Sequence, residues 1–362
     1  MTDQAAGRPE TEQAASWPEV LTRLLAGTDL STGDAAWAMD QVMSGQASPA
    51  QLGAFLAALR AKGETVAEMR GLADTMLQHA HRFAVPGPAL DVVGTGGDRA
   101  HTVNISTMSA VVAAAAGVRV VKHGNRAASS SSGSADMLEA LGIRLDQTPE
   151  LVEQTLATCG ITFCFAQTFH PSMRHAAAVR RELGIATAFN FLGPLTNPGQ
   201  PRYVAVGVAD PRMAPLVAGV FAGRSGSAAV FRGDDGLDEI TTATTTHVWW
   251  VDGGEVTELT FDPERAGLPL HPVEALRGGD AAHNAQVATR VFAGEAGAVR
   301  DAVLLNAGMA LAVLDAGESG ARPGTAAELH TLVRAGVDRA AEAIDTGGAE
   351  RVVHDWIAST SR

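Results

Sequence analysis

Apolar and polar positions recur along this chain with two different periods. From Trp17 to about Phe83 the period is helical: Val20, Leu21, Leu24 and Leu25 share one face, as do Leu52, Phe55, Leu56 and Leu59. Ser48-Pro49 is placed to start the second of these helices, because proline at the first helical position gives up an N–H that has no partner there anyway. With no strand-like run in this stretch, residues 16–84 are predicted to form a small all-helical domain. Ala84 to Pro88, with two prolines and a glycine, reads as a linker. Beyond it the pattern changes. Short strand-like segments at 90–93, 118–122, 162–164, 204–208, 227–231 and 246–251 predict strands, with helical text between most of them. That alternation predicts an α/β domain over residues 89–362, with a mostly parallel sheet flanked by helices. Trp249 to Leu259, turning at Asp252-Gly253-Gly254, predicts a hairpin that adds antiparallel character. The threonine-rich run Thr241 to Thr246 predicts an edge strand with exposed hydroxyls, Pro171 to Pro198 reads as helical and apolar, and helices dominate from Asn284 to Trp356. No internal repeat is visible.

Composition narrows the classes. Apolar residues make up 46% and charged ones 19%, which is globular rather than disordered. A formal net charge of −13 gives no general attraction for nucleic acid or an anionic membrane. An anionic ligand must then depend on local cations, for which Lys122, Arg126 and Arg180 are the candidates. Cys159 and Cys164 fit neither Cys-x-x-Cys nor a zinc spacing; flanked by Ile161, Phe163 and Phe165, they read as small buried apolar residues. Such sparse cysteine suits a reducing cytoplasm. Residues 1–15 carry no signal-peptide pattern and read as a disordered tail. No apolar run approaches the roughly 18 residues of a membrane-spanning helix.

Four stretches carry chemistry. The first is Asp91 to Asp98 with Asn104-Ile105-Ser106-Thr107 behind it: a strand, a loop with three glycines, then a helix. Glycine allows close approach and positive φ, and free N–H groups before a helix N-terminus suit a phosphate. Neither standard phosphate loop fits, since a dinucleotide fingerprint needs glycine where Arg99 stands, and no Gly-Lys-Ser/Thr follows. The second is Lys122 to Ser134, again between strand and helix, which brings cations, a histidine, an amide and hydroxyls into one loop. The third, Gly233 to Ile240, contains Asp238-Glu239, adjacent carboxylates able to hold Mg²⁺ that also touches phosphate. The fourth joins Arg180-Arg181-Glu182-Leu183-Gly184 to Phe189 through Pro198; an arginine there suits a substrate carboxylate.

Taken together the four stretches resemble the anthranilate phosphoribosyltransferases of tryptophan biosynthesis, from about Trp17 to Ile357. The resemblance implies transfer of the 5-phosphoribosyl group of phosphoribosyl diphosphate to the amine of anthranilate, with release of diphosphate. It implies a sugar-diphosphate site made by Gly94, Gly97, Asp98, Thr102, Asn104, Ile105, Ser106, Thr107, Lys122, His123, Gly124, Asn125, Arg126, Ala127, Ala128, Ser129, Ser130 and Ser134. Anthranilate would meet Gly94, Asn125, Arg180 and Pro194. Two Mg²⁺ ions per subunit would be held by Ser106, Asp238 and Glu239, with Glu239 serving both. Residues 171–198 would return to the helical domain, and the enzyme would be a cytoplasmic homodimer pairing through that domain. An aromatic amine is already neutral near pH 7, so no strong general base is required; His123 is the one candidate, and a positioning role suits it better. Two alternatives fit less well. A nucleoside phosphorylase of the same fold would lack the second and fourth stretches, and a nucleic-acid-binding relative would want a basic face.

Overall fold

The computed structural model describes residues 16–127 and 131–361. The expected N-terminal tail lies outside these residues. Four helices open the chain: α1 (Trp17–Leu25), α2 (Thr32–Met43), α3 (Pro49–Lys62) and α4 (Val66–Gln78). Their starts are written locally. Ser31, Ser48 and Thr65 each accept a hydrogen bond from the N–H three residues on, while Asp34, Gln51 and Glu68 reach back to the cap. Pro49 occupies the first turn of α3, as its sequence predicts.

Then strands and helices alternate: β1 (Leu90–Gly94), α5 (Ile105–Ala115), β2 (Val120–Gly124), α6 (Ser134–Ala140), α7 (Pro149–Cys159), β3 (Ile161–Phe165), α8 (Ala166–Phe169), α9 (Arg174–Leu183), α10 (Phe189–Leu192), β4 (Tyr203–Gly207), α11 (Ala214–Ala222) and β5 (Ser227–Gly233). A hairpin of β6 (Thr246–Asp252) and β7 (Glu255–Phe261) follows, then α12 (Ala281–Phe292), α13 (Ala298–Ser319), α14 (Ala326–Asp345) and α15 (Gly348–Thr360). One seven-stranded sheet runs β3-β2-β1-β4-β5-β6-β7; the first five strands are parallel and the hairpin is antiparallel.

Strand residues alternate between two cores. Val92, Tyr203, Ala205, Ala229 and Trp250 face the cluster formed with α5, α13 and α14. Val93, Val204, Val206, Val230 and Trp249 face a second cluster that holds α11 and the N-terminal helices. Ala176, Val179, Phe189 and Leu192, from the 171–198 stretch, belong to that second cluster together with Trp17, Leu52 and Phe55.

Three local expectations need correction. The second strand starts at Val120 rather than Val118, because Gly117, with φ 88°, still closes the turn after α5. The threonine run is not an edge strand: Thr241, Thr242 and Thr246 are buried. Two hydroxyls of the run brace the acidic turn instead, Thr241 Oγ1 donating to Asp235 Oδ2 at 2.5 Å and Thr245 Oγ1 to Asp234 Oδ2. Finally, Cys164 is buried, but Cys159 at the end of α7 is only half-buried, its Sγ directed at the Asp355 carbonyl.

Candidate active site

The parallel strands fix where a ligand binds. α5, which follows β1, packs on one face of the sheet, and α11, which follows β4, packs on the other. β1 and β4 are neighbours, so the connections part between them and leave a crevice beyond their C-terminal ends. Gly94 and Gly207 end the two strands in register. Asp238 lies across both: its carboxylate would collide with a Cβ on Gly94, and its backbone with one on Gly207. Glycine at both ends lets the acidic turn close over the crevice.

Asp238 Oδ2 accepts the Gly96 N–H at 2.6 Å, and Glu239 Oε1 accepts the Ser106 N–H at 3.2 Å, which places Glu239 at the start of α5. Each is only 8% exposed. Burial first, and the neighbouring Asp98 carboxylate second, push the Asp238 pKa up to about 7. Burial and the charge of Asp238 push Glu239 well above the usual carboxylate range, against the pull of Lys122. Carboxylates crowded in this way favour a cation. No three metal-ligating side chains converge on one point among the described residues, so a cation here would complete its shell with substrate phosphate and water. The donor set suits Mg²⁺ on these terms. Asp234 and Asp235 are bound to Thr245 and Thr241 and brace the turn.

The glycine loop is held in an unusual path. Gly96 and Gly97 have positive φ, as do Arg99 (62°) and His101 (53°). Asp98 Oδ1 accepts the Ala100 N–H at 3.2 Å. Thr102 forms a backbone bridge to Arg277. Ile105 and Thr107 turn their side chains into the protein, and their N–H groups already donate to the Val103 carbonyl at 2.7 Å and the Asn104 carbonyl at 3.1 Å. Asn104 and Ser106 are half-buried at the helix start.

The three candidate cations do not form the cluster that the sequence suggests. Lys122 is 2% exposed and donates to the Val92 carbonyl at 2.6 Å, beneath the loop rather than in the opening. Beside it Asp91 is fully buried, and its carboxyl receives Asn197 Nδ2 at 2.8 Å and the His123 N–H at 3.3 Å. Burial pushes Asp91 up to about 6 and Lys122 down, both toward neutrality, while their mutual attraction opposes this. The reason is local: β2 is an interior strand, so a side chain on it must be paired within the sheet layer. Arg126 is half-exposed and bound to Asp136 and Glu139, its guanidinium over the Phe165 ring. Arg180 on α9 lies 5.0 Å from the Phe189 ring centroid, and no acidic side chain among the described residues pairs with it. Burial lowers its pKa from the ordinary value.

Arg180 lines a cavity of about 580 Å³ with Gly94, His123, Gly124, Asn125 and Pro194. All four residues implied for the amine substrate therefore meet in one place. Met173, Asn190 and Gly193 complete its wall. His123 donates from Nδ1 to the Gly193 carbonyl at 3.0 Å, and its ring lies 5.1 Å from that of His170. Burial and His170 hold its pKa down to about 3, so it is neutral. Gly124 is needed where a Cβ would meet the Phe163 ring at 2.9 Å. Ala127 N–H donates to Asp136 and Ser134 Oγ to the Asn125 carbonyl, both shaping the second loop. Ala128, Ser129 and Ser130 lie outside the described residues. Residue-type reasoning passed over Asp91 and Asn197 as a site element, although both stand inside the quoted motifs. It also missed Asn284, which no motif marks.

Residues 86–350 match the family described as "Glycosyl transferase family, a/b domain", and residues 18–80 match its helical bundle domain. A Nocardioides protein named anthranilate phosphoribosyltransferase is 60% identical over 96% of this chain and 100% of its own length. A Streptomyces griseus protein of the same name is 58% identical over 96% of each. Among solved structures, the Thermus thermophilus anthranilate phosphoribosyltransferase superposes with a TM-score of 0.86 at 37% identity, covering 95% of this chain and 99% of that one. The Saccharomyces cerevisiae enzyme in complex with PRPP and Mg superposes at 0.84 with 27% identity, covering 95% and 98%.

Proposed function

Because this chain belongs to the anthranilate phosphoribosyltransferases, we propose that it carries out their reaction in the crevice between β1 and β4 and in the adjoining cavity. The reaction joins C1 of the ribose 5-phosphate to the anthranilate amine and releases diphosphate, a step of tryptophan biosynthesis. The sugar diphosphate occupies the glycine loop and the start of α5, where the positive end of the helix favours anionic oxygens. Anthranilate occupies the cavity lined by Arg180, Asn125 and Pro194. The observation that carries this reading is Arg180, a partly buried guanidinium that has no acidic partner among the described residues and lines a cavity next to the crevice.

Each group has a definable task. Arg180 pairs with the anthranilate carboxylate and fixes the amine against the ribose C1. His123, neutral and engaged with the Gly193 carbonyl, holds the Gly193-Pro194 wall rather than removing a proton. Once the amine has bonded to C1 its nitrogen is strongly acidic, and its proton passes to water or to the departing diphosphate. Asp238, Glu239 and Ser106 would hold two Mg²⁺ ions, whose charge would offset the negative charge that builds on the departing diphosphate. Gly96 and Ser106 N–H groups keep the two carboxylates aimed into the crevice. A homodimer forming through the helical domain is consistent with Leu25, which stands 80% exposed on α1. No described helix is long and apolar enough to cross a membrane, and we place the enzyme in the cytoplasm.

Arg180→Ala tests the assignment. It should raise the KM for anthranilate by roughly 10- to 100-fold, as expected for a lost charge-assisted bond of ~1.5–3 kcal/mol, with the KM for phosphoribosyl diphosphate little changed. Aniline and anthranilate should become similar acceptors. An undiminished preference for anthranilate in the variant would refute the role.

A further inference from the structure

Asn284 lies in the first turn of α12, outside every stretch the sequence singles out, and is 1% exposed. Its side chain sits in a chain of hydrogen bonds whose ends are both backbone groups. Gly279 N–H donates to Asn284 Oδ1 at 2.8 Å. Asn284 Nδ2 donates to Asn104 Oδ1 at 2.9 Å. Asn104 Nδ2 donates to the Ser132 carbonyl at 3.1 Å. An N–H can only donate and a carbonyl can only accept, so the two ends dictate which way both amides face.

Asn104 occupies the N-cap position of α5, yet its side chain makes no capping bond there. It runs sideways and ties the first phosphate loop to the second. The segment before Asn284 is itself fastened to the first loop. Val103 N–H donates to the Leu276 carbonyl at 2.9 Å and Gly278 N–H to the His101 carbonyl at 2.8 Å. A Cβ at Gly278 would meet the Thr102 carbonyl oxygen at 2.8 Å and Asn284 Oδ1 at 2.9 Å, so glycine is what lets this strut lie flat against the loop.

We infer that Asn284 is a positioning residue for phosphoribosyl diphosphate. It fixes the orientation of the Asn104 amide and, through it, the spacing between the glycine loop and the loop that ends at Ser132. This rests on the reading of those two loops as the sugar-diphosphate site.

The test is a double-mutant cycle of Asn284→Ala and Asn104→Ala, with Asn284→Asp beside it. The carboxylate of Asn284→Asp would still accept the Gly279 N–H but could not donate, so Asn104 would have to turn its NH₂ group away from Ser132. Asn284→Ala and Asn284→Asp should each raise the KM for phosphoribosyl diphosphate by roughly three- to ten-fold, the range of one ordinary hydrogen bond. The KM for anthranilate should stay within about two-fold, near the margin of additivity for separate sites. Because a charge at this buried position could also repel the diphosphate directly, Asn284→Ala, which introduces none, should shift the KM in the same direction. In the Asn104→Ala background, Asn284→Ala should add nothing further to that KM. Additive effects in the cycle, or equal losses for both substrates alongside a lowered melting temperature, would overturn the inference. Calorimetry of the wild-type enzyme with phosphoribosyl diphosphate and Mg²⁺ checks the underlying reading separately: no binding there would reject the site itself. If Asn284→Ala does not fold, the isosteric Asn284→Asp variant still decides, because an unchanged KM for phosphoribosyl diphosphate in it rejects the role.

Discussion

Asp238→Asn should make the metal-free protein more stable while removing most of its activity. The amide oxygen can keep the Gly96 N–H that Asp238 Oδ2 now accepts at 2.6 Å. The new NH₂ group would face Asp98 and replace a repulsion with a hydrogen bond. The size of the gain follows from the Asp238 carboxyl, lifted from 3.8 to about 7 by burial and by Asp98. An acid raised in the folded state contributes stability that is complete below its unfolded pKa and is lost as pH rises through the folded one. Over that interval the loss is about 4 kcal/mol, at about 1.4 kcal/mol per pH step. Relaxation and water entry reduce such penalties in real sites, so roughly 2 kcal/mol is expected. Melting curves in chelator from about pH 4 to about pH 8 should show variant and wild type together at the acid end and the variant higher at the alkaline end. Turnover with Mg²⁺ should fall by ~10²-fold or more, the scale of losing a preorganised charge contact. Glu239→Gln should be worse still, since the family resemblance implies that Glu239 serves both ions. An Asp238→Asn protein that melts at or below the wild type at alkaline pH would refute the electrostatic account, and one that turns over normally at low Mg²⁺ would refute the metal assignment.

Two further outcomes follow from the buried and bridging charges. Lys122→Ala should lower stability by ~1–3 kcal/mol, because it leaves the Val92 carbonyl unpaired and removes the nearby charge that offsets the burial of Asp91; a chemical melt within about 0.5 kcal/mol of wild type would reject that account. Asp210 joins Arg60 of α3 at 2.7 Å to the loop after β4, and although burial raises its pKa, hydrogen bonds from Arg212 and Arg60 bring it down to about 2. A depressed carboxyl stabilises above its unfolded pKa and loses that contribution as pH falls through the folded value, so Asp210→Asn should cost ~0.5–1 kcal/mol at neutral pH after allowance for solvent screening. That difference should shrink between about pH 4 and about pH 2, and a gap that widens in acid would reject the bridge.

Much of the architecture can be read from the chain because its signals are local. The helix caps at Ser31, Ser48 and Thr65, the short strand-like segments and the Asp252-Gly253-Gly254 turn each fix their own element. The site was legible in part for the same reason: glycines at strand ends and carboxylates in a turn announce themselves. What could not be read is where long side chains go. Lys122 and Arg126 look alike in sequence, yet one is sealed under β1 and the other is paired on the surface, because β2 ends between them. The threonine run looks like an exposed strand until the acidic turn that needs its hydroxyls is in place. Asn284 shares no pattern with Asn104, 180 residues away along the chain. Such partners are set by tertiary packing alone.

The return of α9 and α10 to the N-terminal helices bears on how the chain is made. Leu52, Phe55 and Leu56 of α3 share their core with Ala176, Val179 and Phe189. During synthesis the first helices leave the ribosome without these partners and wait on the order of ten seconds for them at ordinary elongation rates. Meanwhile their apolar face is open to other nascent chains. An N-terminal fragment ending at the Ala84–Pro88 segment would, by itself, keep that face uncovered. Slow translation through β1 to β3 should therefore lower the soluble yield more than slow translation after α10, when the face has been closed.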